Sequence, residues 1–357
     1  MSDHLLKQHR DAIDAIDVEI LHLLNQRALH AREIGEIKGG GVIYRPEREA
    51  QVLRRIQDLN PGPLPDEAVA RLFREVMSEC LALEKPLSIA FLGPEGTFSQ
   101  LAATKHFGHG AHVVACASID EAFRMVEART LDYVVAPVEN STEGAVGRTL
   151  DLMVTTPLKI CGEVVLRIHH HLLRQTPGLA GIRRVYSHAQ SLAQCHEWLN
   201  KNLPPEVERV SVASNAEAAR LASLDPTAAA IAGQAAAERF NLEKLAGSIE
   251  DEPNNTTRFL VLGFQDVGAT GKDRTSIVVS APNRPGAVHQ LLAPIAASGV
   301  SMSKFESRPS RAGLWDYVFF IDLEGHCSEP HVAQALEALR ACASYVKLLG
   351  SYPQAVI

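Results

Sequence analysis

Two sets of residues in this sequence have the types and spacing to do chemistry. The first is a set of cations with one carboxylate: Arg27 and Lys38, then the adjacent pair Arg48-Glu49. Arg27 and Lys38 are eleven residues apart, which at 100° per residue leaves them about 20° from a shared helical face. Arg10 lies seventeen residues before Arg27, about 100° away in angle and about 25 Å away along a helix axis. It cannot easily serve the same pocket in its own chain, but it can serve the pocket of a partner chain. The second set is Asn254-Asn255-Thr256-Thr257-Arg258-Phe259, which runs into the apolar Leu260-Val261-Leu262. Short hydroxyls, amides and one guanidinium at a strand mouth suit an anionic, oxygen-rich small molecule. Each set also has a plainer reading. The charges can be a solvated helix face with i,i+4 pairs, and the hexad can be a polar turn bonding its own backbone.

The elements that must position these residues differ along the chain. From Leu6 to about Lys38 the apolar positions Ile13, Ile16, Ile20, Leu23, Leu24, Ala28, Ala31, Ile34 and Ile37 have helical spacing, ended by Gly39-Gly40-Gly41. A second helix follows Pro46 to about Leu59, and a third runs from Asp66 to about Glu84. One long and two short helices cannot bury such a stripe alone, so intertwined protomers are expected.

From residue 87, strand-like and helical stretches alternate, which predicts a parallel or mixed sheet flanked by helices. Leu87–Leu92, Val113–Ala115 and Tyr133–Ala136 read as strands; Gln100–Phe107 and Ile119–Ala128 read as helices. A second lobe is expected from near Ile160, and Ala213–Ala222 and Ala228–Phe240 read as alanine-rich helices, with Ala230–Gly233 ambiguous between strand end and helix start. Polar corners recur at strand ends: Gly93–Ser99, Val138–Val146 and Val185–Ser191, besides the hexad. Crevices at that edge are where open α/β sheets bind ligands. Beyond a linker at 268–273, the order is strand, helix, strand, strand, helix, strand, the ferredoxin-like pattern.

The bulk numbers exclude several classes. The chain has 357 residues, 46% hydrophobic and 22% charged, with a net charge of -7, an ordinary soluble mix of two or three domains. Nothing in that balance favours nucleic acid or an anionic membrane, and no signal peptide or membrane-spanning run is apparent. Six scattered cysteines without a CxxC pair argue against a disulfide framework or a zinc site and fit a reducing cytoplasm. In His169-His170-His171 consecutive strand residues point to opposite faces, so they converge poorly on a metal.

Residues 1–86, with Arg10, Arg27, Lys38, Arg48-Glu49, Cys80 and Glu84 in that order, resemble the all-helical chorismate mutase domain. The resemblance implies that Arg10 of a partner chain, Arg27 and Arg48 bind carboxylates, Glu49 takes the substrate hydroxyl, and Lys38 donates to the ether oxygen. Arg45 is either a pocket residue or a surface residue at the helix entry. Cys80 stands where a serine is common and Glu84 where a glutamine is common. A glutamate donates to the ether oxygen only when protonated, so mutase activity is expected to fall as pH rises. A Glu84→Gln variant should flatten that profile in a stopped-time assay across pH; an unchanged profile contradicts the role.

Residues 87–267 resemble prephenate dehydratase through Gly93–Ser99, Val138–Val146, Ser187–Leu192 and Thr257-Arg258-Phe259. Implied are a two-lobed, periplasmic-binding-protein-like α/β domain and a cleft lined by Thr97, Ser99, Glu139, Asn140, Ser141, Thr142, Ser187, Gln190, Ser191 and Phe259. Thr257 would act at the leaving hydroxyl, and Arg258 would hold a carboxylate or order the loop. The proton source is unassigned; His188 is tempting because histidine is a common proton donor, but a capping or loop role suits it equally. Residues 274–352 resemble a phenylalanine-binding ACT domain, carried by Asn283, Pro285, Gly286, Ala287 and Val288 and by Glu306, Ser307 and Arg308. The three resemblances together imply a multidomain bifunctional enzyme without metal or organic cofactor. It would turn chorismate into prephenate and then phenylpyruvate, be inhibited by L-phenylalanine, and form a cytoplasmic homodimer or higher homo-oligomer. The alternative from another class is a non-catalytic two-lobed small-molecule sensor.

Overall fold

A computed structural model describes residues 2–39, 43–281, 284–310 and 317–356. The chain opens with α1 (Ser2–Lys38), α2 (Pro46–Asp58) and α3 (Asp66–Ala82). No residue of α1 is buried in the protomer, and Ile13, Ile16, Ile20 and Leu23 are each about half exposed. The apolar stripe that the periodicity predicts is therefore present and faces outward. Pro46 takes the first helical position of α2, where its missing N–H costs nothing. Tyr44, between α1 and α2, is buried against Phe107 and Tyr133 of the next domain.

The middle of the chain is two-lobed. The first lobe holds β1 (Ser88–Leu92), α4 (Phe98–Phe107), β2 (His112–Cys116), α5 (Ile119–Glu127), β3 (Tyr133–Asn140), the short β4 (Gly144–Ala145), α6 (Gly147–Thr155) and β5 (Lys159–Arg167). The second holds β6 (His171–Arg174), β7 (Arg184–Ser187), α7 (Ala189–Gln194), α8 (His196–Asn202), β8 (Glu208–Ser211), α9 (Asn215–Ala222), β9 (Ala228–Ala232), α10 (Gln234–Arg239) and β10 (Glu243–Ala246). The chain then returns to the first lobe as β11 (Thr256–Gly263). The first sheet runs β2-β1-β3-β11-β5, with β4 on β3; the second runs β10-β6-β9-β7-β8. Ser118 and Ser214 cap α5 and α9, their hydroxyls accepting from the backbone N–H groups of Glu121 and Glu217.

Three expectations change here. The second lobe does not begin near Ile160. Strand β5 pairs antiparallel with β11 inside the first sheet, so the lobes divide at residues 168–170, where the chain leaves β5. The crossing strands are tied together: the Ile168 N–H donates to Asn255 O at 2.8 Å, and the Ile249 N–H to His170 O at 2.9 Å. The alanine-rich stretch from Ala228 is a wholly buried central strand, β9, followed by a short helix. Its methyl groups pack into the cores on both faces of the sheet, and backbone pairing with β6 and β7 overrides alanine's helix propensity. Strand β3 also runs on to Asn140 because β11 and β4 pair with its polar end.

The last domain comprises β12 (Asp273–Ser280), α11 (Ala287–Ala297), β13 (Met302–Pro309), β14 (Tyr317–Glu324), α12 (Pro330–Cys342) and β15 (Tyr345–Pro353). Its antiparallel sheet has the order β13-β14-β12-β15, the ferredoxin-like arrangement expected. By its sequence the third strand of this domain is expected from Trp315, after a turn at Gly313; those two residues lie outside the described ones, as do Gly40 and Gly41 of the glycine stop. The sheet docks on the first lobe. Lys347 of β15 donates to the carbonyls of Met153, Val154 and Thr156 at 3.0, 3.0 and 2.6 Å, neutralising the C-terminal end of α6.

Candidate functional site

A pocket of about 180 Å³ forms where α1, α2 and α3 meet, and Arg27, Lys38, Arg45, Arg48, Glu49, Cys80 and Glu84 line it. Arg10 lies outside it, farther up α1. Gly35 allows α1 to approach Glu84: a Cβ there would come within 2.5 Å of the Glu84 side chain. One wall is Phe107, from the neighbouring domain.

Arg74, which the sequence reading missed, holds one of this pocket's residues from behind its wall. Its side chain is 8% exposed; Nε donates to Glu49 Oε1 at 3.1 Å, and Nη1 donates to Lys105 O at 3.1 Å. Burial pushes the Glu49 pKa up, and the Arg74 charge and hydrogen bond act against that. Beneath them Tyr44 Oη and His106 Nε2 share a hydrogen bond of 2.9 Å. Burial pushes the His106 pKa down to about 3, so this contact is neutral. The pocket's carboxylate is thus held through an arginine that is itself anchored on the next domain. An Arg74→Met variant should lose about 3–5 kcal/mol of unfolding free energy in denaturant titration, because Glu49 is left buried and unpaired.

The larger cavity, about 640 Å³, is the cleft between the two lobes. From the expected set, Thr97, Ser99, Asn140, Gln190, Ser191 and Thr257 line it. Thr97 and His188 double as helix caps, accepting from the N–H groups of Gln100 and Gln190. Thr257 is the best-prepared group. Asn140 Nδ2 donates to its Oγ1 at 2.8 Å, which satisfies the oxygen and frees the Thr257 O–H to donate into the cleft. Asn140 is fixed in turn: its Oδ1 accepts from Thr142 N, Thr142 Oγ1 and Glu143 N at 3.0, 2.6 and 3.1 Å. The cleft also takes in His170, which the sequence reading weighed only as a metal ligand, and Gln194 and Asn215, which it did not name. Alternation from Ile168 to His170, both on the cleft wall, was the available signal.

Comparison with known proteins assigns the chain to a family. The family model for chorismate mutase type II matches residues 9–85, that for prephenate dehydratase residues 89–266, and that for the ACT domain residues 275–341. A bifunctional chorismate mutase/prephenate dehydratase of Neisseria gonorrhoeae is 64% identical over 99% of both chains. The chain belongs to the bifunctional chorismate mutase/prephenate dehydratase family. A second member, from Stutzerimonas stutzeri, is 53% identical over 99% of this chain and 98% of its own. A solved prephenate dehydratase from Arthrobacter aurescens, in complex with L-Phe, is 34% identical with a TM-score of 0.69, over 75% of this chain and 90% of that one. Chorismate mutase and prephenate dehydratase activities therefore reside in this one chain.

Several residues expected in the dehydratase cleft are engaged elsewhere. Thr257 and Arg258 are neighbours on β11, so their side chains leave opposite faces of the sheet. Arg258 turns away from the cleft: Nε donates to Glu163 Oε2 of β5 at 2.8 Å, and Nη1 and Nη2 reach the ACT domain, donating to Asp322 Oδ2 at 2.5 Å and Tyr352 Oη at 2.8 Å. Burial opposes its charge, but Tyr352, Asp322 and Glu163 more than offset this and push its pKa up. Glu139 follows the same alternation on β3 and pairs with Lys304 of β13 at 2.8 Å. Phe259 is core, packed with Phe91 and Val135. Ser187 is fully buried, donating to Ile231 O at 2.8 Å and Asn215 Oδ1 at 2.9 Å. Ser141 and Thr142 stand one layer back, bonding Thr256 N and Asn140.

In the ACT domain, Pro285, Gly286, Ala287 and Val288 sit at the start of α11, where Gly286 takes the left-handed conformation that glycine favours (φ +80). Asn283 lies outside the described residues. On the edge strand β13, Lys304, Glu306 and Arg308 share one face by alternation. Arg308 is not at α11: it pairs with Asp151 of α6 at 3.2 Å, and Gly147 leaves room for its guanidinium.

Proposed function

We propose that residues 1–86 carry the mutase, residues 87–267 the dehydratase and residues 274–352 an L-phenylalanine-sensing domain. In the mutase pocket, Arg27 and Arg48 bind the carboxylates of chorismate, Glu49 accepts its hydroxyl, and Lys38 and Glu84 face the ether oxygen. The reaction needs no nucleophile. It needs two carboxylates held and donors aimed where negative charge builds up. Arg10 of a second copy completes the pocket in a homo-oligomer; the outward apolar stripe of α1 supports this. In the dehydratase cleft, Thr257 donates to the hydroxyl that leaves prephenate, while Asn140 holds it and Thr97, Ser99, Gln190 and Ser191 complete the polar wall. Loss of the hydroxyl and the ring carboxylate makes the ring aromatic, which drives the step. L-Phe, the molecule seen with the Arthrobacter dehydratase, binds at the start of α11 and lowers dehydratase turnover. The four buried free thiols support a reducing, cytoplasmic setting.

The observation that carries this reading is the convergence of Arg27, Lys38, Arg48 and Glu49 on one pocket and of Thr257 on another. A sensor without catalysis gives no reason for the first. Assaying each activity with its own substrate, in variants of one pocket at a time, tests the division.

A further inference from the structure

We propose that His170 is the group that hands a proton to the hydroxyl leaving prephenate, an assignment that rests on the interlobe cleft being the dehydratase site. His170 lies on the segment where the chain passes from the first lobe to the second. It is 1% exposed, lines the cleft together with Thr257, and meets Phe98 edge-on with ring centroids 5.6 Å apart.

Its hydrogen-bond partners fix which nitrogen does what. Nε2 lies 3.0 Å from Gln194 Oε1. That oxygen also accepts from Asn255 Nδ2 at 3.0 Å, while the Gln194 amide donates to Thr142 Oγ1 at 3.0 Å. An amide oriented by both of these contacts presents oxygen to the imidazole, so Nε2 carries a hydrogen. Nδ1 is then the ring's open nitrogen. It is buried and has no hydrogen-bond partner among the described residues. Buried polar atoms are nearly always paired, and one left open at a functional site asks for a ligand.

The same partners join His170 to the threonine. Asn255, which donates to Gln194, accepts at its Oδ1 from Asn140 Nδ2 at 2.8 Å, and Asn140 Nδ2 also donates to Thr257 Oγ1 at 2.8 Å. One buried chain, His170–Gln194–Asn255–Asn140–Thr257, sets both groups. Thr257 has an O–H free to orient the leaving hydroxyl but cannot give up its proton at ordinary pH. The imidazole can.

The charges around the ring come from several elements. Glu250 accepts from the His170 backbone N–H at 2.9 Å and bonds His169 Nδ1 at 2.8 Å. His171 accepts from Ser248 N, and His188 and Glu217 stand on the second lobe's wall of the cleft. Burial lowers the His170 pKa and His169 adds to that, while Gln194 and Glu250 act the other way. The ring is therefore neutral in the free protein. Prephenate brings two carboxylates into the cleft, which favours the imidazolium and places the new proton on Nδ1. In the reaction Nδ1–H passes to the hydroxyl oxygen, the carbon–oxygen bond breaks and water leaves. The ring carboxylate's carbon–carbon bond breaks, its electron pair enters the ring, and carbon dioxide leaves. The neutral imidazole takes its next proton from solvent, so prephenate and one proton give phenylpyruvate, carbon dioxide and water.

The test uses the full-length protein with His170→Gln, which keeps an N–H near the place of Nε2, and His170→Asn as a second variant. Dehydratase turnover is followed from prephenate and mutase turnover from chorismate, each across pH. The expected result is a fall of about 100-fold in dehydratase kcat in both variants, with mutase turnover as in the wild type. Wild-type dehydratase kcat should also decline as pH rises through the imidazole's pKa in the complex, and the variants should lack that limb. A His170→Gln dehydratase within threefold of wild type and with the same pH profile overturns the assignment. A wild-type protein that leaves prephenate unchanged overturns the underlying site reading instead.

Discussion

Thr257→Ala should stop the reaction sequence at prephenate. The substitution removes the hydroxyl that Asn140 Nδ2 holds at the cleft wall, and with it the donor proposed for the departing oxygen. Losing one such preorganised donor costs about 10²–10³ in turnover. The expected outcome is phenylpyruvate formation from prephenate reduced by that factor, with chorismate consumed at the wild-type rate. The mutase pocket is lined by residues between Arg27 and Glu84 together with Phe107, and Thr257 is not part of that lining. Separate assays on chorismate and on prephenate make the comparison. If both activities fall together, the assignment of residues 1–86 and 87–267 to separate reactions is wrong.

Arg258→Met should destabilise the protein and disconnect the dehydratase from L-Phe. Arg258 holds Glu163, whose side chain is 3% exposed, and Asp322, whose side chain is 9% exposed. Without it Glu163 retains Arg274, and Asp322 retains the Ser276 hydroxyl at 2.5 Å. Breaking a buried pair in this way costs about 3–5 kcal/mol, since the carboxylates stay buried. Denaturant unfolding measures this. The functional half follows from the backbone: Arg258 grips the ACT sheet from one face of β11 while Thr257 faces the cleft from the other. On the proposed role of Thr257, a movement of β14 or β15 would reach one residue from that hydroxyl, a more direct route than the linker at 268–273. L-Phe should then inhibit Arg258→Met much less than wild type. Lys304→Met separates the two effects. Its partner Glu139 is 39% exposed, so stability should change little, yet it removes a second tie between the ACT sheet and β3. Full inhibition in both variants contradicts this route.

The three fold types were legible because each part obeys a different period. The apolar positions of α1 recur at helical spacing, and the C-terminal strands and helices alternate in ferredoxin-like order. Arg27 and Lys38 line one pocket, which the angular argument along α1 anticipates. Long-range pairing was not legible. That β5 joins the first sheet depends on β11, about ninety residues later, and no local pattern announces it. Ala228–Ala232 lacks the β-branched residues that mark strands, and only its burial between β6 and β7 makes it one. Arg258 was a different kind of miss. Once the hexad is seen to enter a strand at Thr256, alternation alone sends Thr257 and Arg258 to opposite faces. His170 was weighed only as part of a metal cluster. The three rings diverge, to Glu250, Gln194 and Ser248, and that divergence leaves the middle one on the cleft wall.

The central claim is that one chain runs two consecutive reactions under the control of a third domain. Chorismate added to the purified full-length protein, with phenylpyruvate followed in time with and without L-Phe, tests it most directly. The account predicts that phenylpyruvate appears from chorismate alone and that L-Phe slows its appearance. Chorismate left untouched, or phenylpyruvate formed at a rate indifferent to L-Phe, would contradict it.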